Sequence, residues 1–199
     1  MKRNVESTMG LTLGMTTLSW VIALAVTPST SPARPASDEV KAAARIERGA
    51  YLVKTMGCND CHTPWKSGPR GPEPDMSRAL TGHPADMVMP PPPQLPAGPW
   101  TWIAAGTNTA FAGPWGVSFT ANLTPDVETG LGNWTEDMFI ATMKTGRHEG
   151  KGRPVLPPMP TQMLAALNDE DIRSLFAYLR SLTPVRNRVP APIDPPEGQ

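Results

Sequence analysis

Apolar residues recur at helical spacing in three stretches of the chain. Near the C-terminus Ile172, Leu175, Phe176, Leu179 and Leu182 form an i, i+3, i+4, i+7 stripe. Asn168 precedes it as an N-cap, Asp169, Glu170 and Asp171 fill the first turn, and Pro184 ends it. A second stretch carries Met138, Phe139, Ile140 and Met143 between the N-cap Thr135 and Gly146, a stop signal. A third starts at Ser37, with Asp38 and Glu39 in its first turn. It runs through Val40, Ala43, Ala44, Ile46, Ala50 and Val53 towards Gly57. A short helical turn is expected at 161–167. No run alternates apolar and polar residues long enough to predict a strand, and no internal repeat is present. The pattern predicts an all-α fold.

The spaces between these helices are long. From about 63 to 114 the chain holds Pro64, Pro69, Pro72, Pro74, Pro84, the run Pro90 to Pro93, Pro96 and Pro99. Each proline removes a backbone donor and fixes φ, so this insertion is expected to be irregular. Trp65, Trp100 and Trp102, with Trp115 just beyond, argue that it is packed, because disordered tracts are poor in aromatics. The tail 185–199 is also proline-rich and is expected on the surface. The 25 prolines and 17 glycines among 199 residues exclude a coiled coil or a regular helical bundle.

The N-terminus reads differently. Lys2 and Arg3 precede an uncharged run from Met9 to Val26, followed by the polar segment Thr27 to Pro32. This is the pattern of an export signal, with Ala23-Leu24-Ala25 as a small-x-small cleavage site. The run is also near the lower length limit of a membrane span, so residues 1–26 are a signal peptide or an N-terminal anchor. Either way the rest of the chain is expected in the periplasm, free or tethered to the inner membrane. Residues 27–36 form a linker, and 37–184 the folded domain. The formal net charge of zero gives no nucleic-acid footprint.

Both cysteines of the chain lie in one motif, Cys58-Asn59-Asp60-Cys61-His62. C-x-x-C-H is the attachment pattern of haem c. Two thiols three positions apart can form thioethers to one porphyrin, and the adjacent His62 is then the proximal iron ligand. A thioredoxin-type site would need a βαβ context, and a zinc site a fourth ligand from His83 or His148. Covalent haem also suits a chain whose hydrophobic fraction is only 39%, because a large flat cofactor would complete a thin core.

An electron carrier needs a sixth ligand to the iron. Met159 lies in Leu156-Pro157-Pro158-Met159-Pro160, where the prolines stiffen a loop far in sequence from His62. It is the expected distal ligand, and a thioether there raises the potential. Met163 is the rival, expected to pack on the short helix. Met143 is expected in the core, and His83 and His148 in solvated loops.

At these residues the chain resembles the class I c-type cytochromes: a C-x-x-C-H after an N-terminal helix, Pro-Pro-Met-Pro, and a closing helix with Phe176-Ala177-Tyr178-Leu179. The stretch Asn122-Leu123-Thr124-Pro125-Asp126 to Asn133-Trp134-Thr135 is similar to the cytochrome modules in the cytochrome c subunits of bacterial membrane-bound dehydrogenases. Those subunits carry three haem motifs, and this chain carries one. The resemblance implies cytochrome c-like helices around one covalent haem, with Gly49 or Ala50 crossing Tyr178 or Phe176. It also makes Asn122, Trp134 and Arg147 candidate donors to haem propionates. Asp126 and Glu128 are expected in a turn, lacking the spacing of a calcium loop.

The reading is an exported monohaem cytochrome c that carries single electrons, not itself an enzyme. Its haem-binding residues are Cys58, Cys61, His62 and Met159, and its partners are redox proteins: a dehydrogenase, an oxidase or another cytochrome. Two alternatives stand beside the free carrier. One is a haem subunit of a dehydrogenase or oxidase complex. The other is a haem enzyme or sensor with an open axial site.

Overall fold

The computed structural model describes residues 36–93, 95 and 98–195. The expected signal or anchor at 1–26 therefore lies outside the described residues, as does nearly all of the linker. Three long helices carry the core: α1 (Ala36–Thr55), α3 (Glu136–Thr145) and α5 (Asp169–Ser181). Two short ones accompany them, α2 (Cys58–His62) and α4 (Thr161–Ala165).

The expected caps of α3 and α5 are in place, whereas α1 begins at Ala36, one residue before the Ser37 expected to start it. Thr135 accepts from the Met138 amide at 3.2 Å, and Asn168 from the Asp171 amide at 2.8 Å. Gly146 closes α3 at φ 63°, its N–H bonded to Thr142. Gly57, at φ 71°, separates α1 from α2 in the left-handed region that glycine adopts without steric cost.

Helices α1 and α5 pack against each other at Gly49. A Cβ built there would lie 1.9 Å from the Ser174 carbonyl oxygen and 2.7 Å from the Tyr178 Cβ, so only glycine lets the backbones meet. Two ion pairs flank the crossing, Arg45–Glu170 at 2.9 Å and Arg48–Asp171 at 2.8 Å. Beneath it Leu52, Val53, Ile172, Leu175, Phe176 and Leu179 pack with Phe139 of α3 and with Leu80 and Leu131 from the loops.

The expectation of an all-α chain is overturned by two antiparallel sheets. The first is the hairpin β1 (Trp65–Gly68) and β2 (Gly71–Pro74). The second has three strands in the order β3 (Ile103–Ala104), β4 (Ala110–Gly113) and β5 (Gly116–Phe119). Strands of two to four residues are too short to show an alternating pattern. Their signal lies in the turns instead. Both hairpins reverse at Gly-Pro-x-Gly, with Gly68 opposite Gly71 and Gly113 opposite Gly116. Proline supplies the fixed φ of the turn, and Gly71 and Gly116 take positive φ (114° and 88°).

The tail lies on the surface as expected, with Asn187 alone buried among its described residues, yet it is also tied to the sheet. Val117 of β5 and Ile193 exchange backbone hydrogen bonds of 2.8 and 2.9 Å, so residue 193 adds a bridge to the sheet edge. A Cβ on Gly116 would meet the Ile193 carbonyl oxygen at 2.0 Å. Asn187 is buried: its amide nitrogen donates to the carbonyls of Thr81 and His83, and its oxygen accepts from Ala85. The prolines of the tail lack N–H groups, but its carbonyls and the Asn187 amide satisfy loop groups that have no helix or sheet partner.

Gly49→Ala is expected to destabilise the haem-loaded protein by about 1–3 kcal/mol through forced separation of α1 and α5, read by thermal unfolding. A second expectation concerns acid. Hydrogen bonding to Arg48 holds the Asp171 carboxyl below its ordinary value. A depressed carboxylate stabilises the fold above its unfolded pKa, and that contribution is lost as pH falls through the folded value. The stability difference between wild type and Arg48→Ala should therefore shrink below about pH 4.

Candidate functional site

A cavity of about 640 Å³ opens in the middle of this core. Its size lies within the roughly 300–1,000 Å³ of pockets that bury a ligand of cofactor size. Its walls are mainly apolar: Val53 of α1, Leu131, Phe139 of α3, and Leu175 and Leu179 of α5. Helical side chains that would otherwise close a core thus surround an opening.

The motif residues enter this cavity from the end of α1. After Gly57, one helical turn carries Cys58, Cys61 and His62, and all three line the opening. Both thiols are free. Burial pushes the Cys58 thiol up to about 11 and raises Cys61 as well. A thiol–disulfide exchange site needs the opposite, a thiol whose pKa is lowered, so this burial argues against the redox-motif reading.

His62 is buried, and its Nδ1 lies 2.8 Å from the Ala121 carbonyl oxygen. A carbonyl only accepts, so Nδ1 carries the proton and Nε2 keeps a free lone pair. Burial also lowers the His62 pKa, opposed by the same hydrogen bond. The imidazole is therefore neutral and orientated, as a metal ligand must be. The short helix is held from outside by the insertion: Trp65 Nε1 and Asn108 Nδ2 both donate to the Asp60 carbonyl, at 2.8 and 2.7 Å.

Met159 lines the same cavity on the loop between α3 and α4. Met163 lines it too and is 49% exposed, so the packing expected of it is not found. Met143 and Met56 contribute to the wall. His83, expected in a solvated loop, is 0% exposed. Its Nδ1 pairs with Thr109 Oγ1 and its Nε2 with the Met87 carbonyl, which occupies both nitrogens away from the cavity. His148 is exposed as expected, yet it also lines the cavity, with its ring edge-on to Trp134.

The polar candidates sort unevenly. Asn122 is committed to its own loop and to the tail: Nδ2 donates to Thr129 Oγ1 and the Val185 carbonyl, and Oδ1 accepts from Thr124. Arg147 is exposed and bonds the Gly152 carbonyl, away from the opening. Asn122 and Trp134 both line the cavity. Asp126 caps a turn through Thr129 and Glu128, as expected. Sequence reasoning missed Arg153 and Arg188, which both line the cavity from loops. Isolated arginines in irregular segments carry no pattern that would single them out. Thr120 was missed as well: it lines the cavity, and its buried hydroxyl has no hydrogen-bond partner among the described residues. An orphaned polar atom on an apolar wall fits a chain built around a bound group.

Covalent attachment chemistry, a neutral imidazole and a cavity at the centre of the core define a haem protein of the cytochrome class. The chain belongs to the cytochrome c family, whose model, Cytochrome c, matches residues 46–183. Its cofactor is haem c. The chain is 30% identical to a nicotinate dehydrogenase subunit of Pseudomonas putida, over 92% of its own length and 12% of that protein. It is 29% identical to the cytochrome c subunit of the quinone-type alcohol dehydrogenase of Gluconobacter oxydans, over 75% of this chain and 24% of that one. The fructose dehydrogenase cytochrome subunit of Gluconobacter japonicus is 28% identical over 76% of this chain and 22% of its own. The chain thus spans between about an eighth and a quarter of the length of these relatives.

Replacing Cys58 and Cys61 together by alanine is expected to make the haem extractable into acid acetone and to reduce the helical circular dichroism. Wild-type haem should stay with the protein through the same extraction.

Proposed function

We propose that the chain carries single electrons through one haem c, held by Cys58 and Cys61, with His62 as proximal and Met159 as distal ligand. The observation that carries this reading is the meeting of Cys58, Cys61, His62 and Met159 on one apolar cavity, although Met159 lies 97 residues beyond His62. When bound, haem c supplies a one-electron couple. The chain's own contributions are orientation and exclusion of water. Ala121 fixes the His62 tautomer, the proline loop carries the thioether, and α1, α3 and α5 supply an apolar wall.

Two partner arrangements follow. The free carrier shuttles between a donor and an acceptor in the periplasm. The subunit reading is favoured by the names of the relatives, several of which are cytochrome subunits of dehydrogenases. In it the chain accepts electrons from a dehydrogenase that oxidises its own substrate elsewhere. Neither gives the chain substrate chemistry of its own. Export rests on the first 26 residues, cleaved near Val26 or retained as an anchor. Among the described residues no helix is long and apolar enough to cross a membrane.

Met159→Ala tests the ligand. Loss of the weak red methionine-to-iron band, a lower potential and new binding of carbon monoxide by the ferrous protein are expected. Met163→Leu should leave all three nearly unchanged. If the two variants exchange behaviours, Met163 is the ligand. Mass spectrometry of the native N-terminus, with fractionation of the cells, separates cleavage from anchoring. Recovery of the haem-loaded chain with a dehydrogenase after detergent extraction separates the subunit from the free carrier.

A further inference from the structure

The segment Leu156-Pro157-Pro158-Met159-Pro160 contains three prolines, so it can donate few backbone hydrogen bonds. Its internal ties are the Met159 amide to the Leu156 carbonyl, at 3.3 Å, and the Thr161 amide to the Met159 carbonyl, at 2.9 Å. Among the described residues no backbone N–H donates to the Pro157 carbonyl. It receives the Ser118 hydroxyl instead, at 2.6 Å, the shortest alternative acceptor being the Phe111 carbonyl at 3.5 Å. A serine hydroxyl has one proton, and the geometry assigns it to Pro157.

Ser118 is 7% exposed and sits in β5, a strand held along both edges. On one edge β4 pairs with it, Phe111 opposite Ser118 and Ala112 opposite Val117. On the other, the tail exchanges two backbone bonds with Val117 through Ile193. Gly116 seats this tail so closely that no side chain fits between them. The base of the Ser118 hydroxyl is therefore rigid, and no other side chain among the described residues makes a hydrogen bond to residues 156–160. Stiffness inside a proline loop limits its shape, but it does not fix the loop's place over the iron. An external tie is needed for that.

We propose that Ser118 is a positioning residue for the distal ligand. Its bond to Pro157 anchors the methionine loop to the insertion sheet and keeps the sixth coordination position closed. This inference rests on Met159 being that ligand. It gives the insertion and the tail a task in the redox site: they form the frame from which the ligand loop is held.

The test uses the haem-loaded full chain and the rate at which added imidazole displaces the thioether from ferric iron, followed at the red band. Ser118→Ala is expected to retain the band but to raise the displacement rate by about three- to tenfold, the scale of one lost hydrogen bond. Ser174→Ala is the control. It deletes another buried hydroxyl, bonded within α5 to the Glu170 carbonyl at 2.8 Å with no tie to residues 156–160, and should leave the rate unchanged. An unchanged rate in Ser118→Ala, with the band lost in Met159→Ala, would overturn the inference and leave the ligand reading standing. Equal acceleration in Ser118→Ala and Ser174→Ala would also overturn it, because the effect would then be general loss of stability. If Met159→Ala keeps the band, the ligand reading fails, and this inference with it.

Discussion

The close approach of α1 and α5 at Gly49 is the contact on which the rest of the structure depends. With no side chain on Gly49, the Ser174 carbonyl and the Tyr178 Cβ can lie against the α1 backbone. The bidentate pairing of Arg48 with Asp171 holds the rotation of one helix on the other. Helix α1 ends at Thr55, and the motif begins three residues later at Cys58. With α1 docked on α5, Cys58, Cys61 and His62 line the same cavity as Leu175 and Leu179. The crossing is thus the means by which a local attachment motif becomes a central site.

The walls that the helices leave open are supplied by irregular chain. The insertion reaches the motif from outside through Trp65 and Asn108, and Ser118 of β5, just beyond it, reaches the methionine loop. Ala121, just past β5, orientates His62. One short span of the chain, from Ser118 to Ala121, therefore touches both expected axial ligand segments. The tail completes the arrangement, with Asn187 holding three backbone groups of the loop around His83. Prolines suit this work because each loop is stiff before it folds and loses less entropy when it docks.

The kinship with dehydrogenase subunits bears on scale. The chain matches a fraction of each relative, and it carries a single C-x-x-C-H. A one-haem unit can hold one electron at a time, so in the proposed subunit arrangement a two-electron oxidation would deliver its electrons in separate steps. An insertion that frames the haem site while exposing Trp100 and Trp102 distinguishes the chain from a minimal helical carrier.

Much of the helical frame is legible in the sequence alone, because its signals are local. Asn168, Thr135, Gly146 and Gly57 mark helix ends by groups that act within one turn. The stripe from Ile172 to Leu182 marks a buried face by its period. Cys58, Cys61 and His62 are legible as a candidate haem site for the same reason, since the chemistry requires them side by side. The strands are not, because segments of two to four residues are too short to show a period. Only their paired Gly-Pro-x-Gly turns announce them. His83 is buried against expectation because its surroundings are Thr109, Met87 and Asn187, which are up to 104 residues away. The tail lies on the surface as its prolines suggest, but its docking is not legible, because its carbonyls find donors only in the folded chain. Sequence determined which residues bring chemistry and which segments are helical. Tertiary structure alone decided that Met159, Met163, Met143 and His148 share one cavity, and that Ser118 and Ala121 serve it, because hydrogen bonds between distant loops leave no periodic trace.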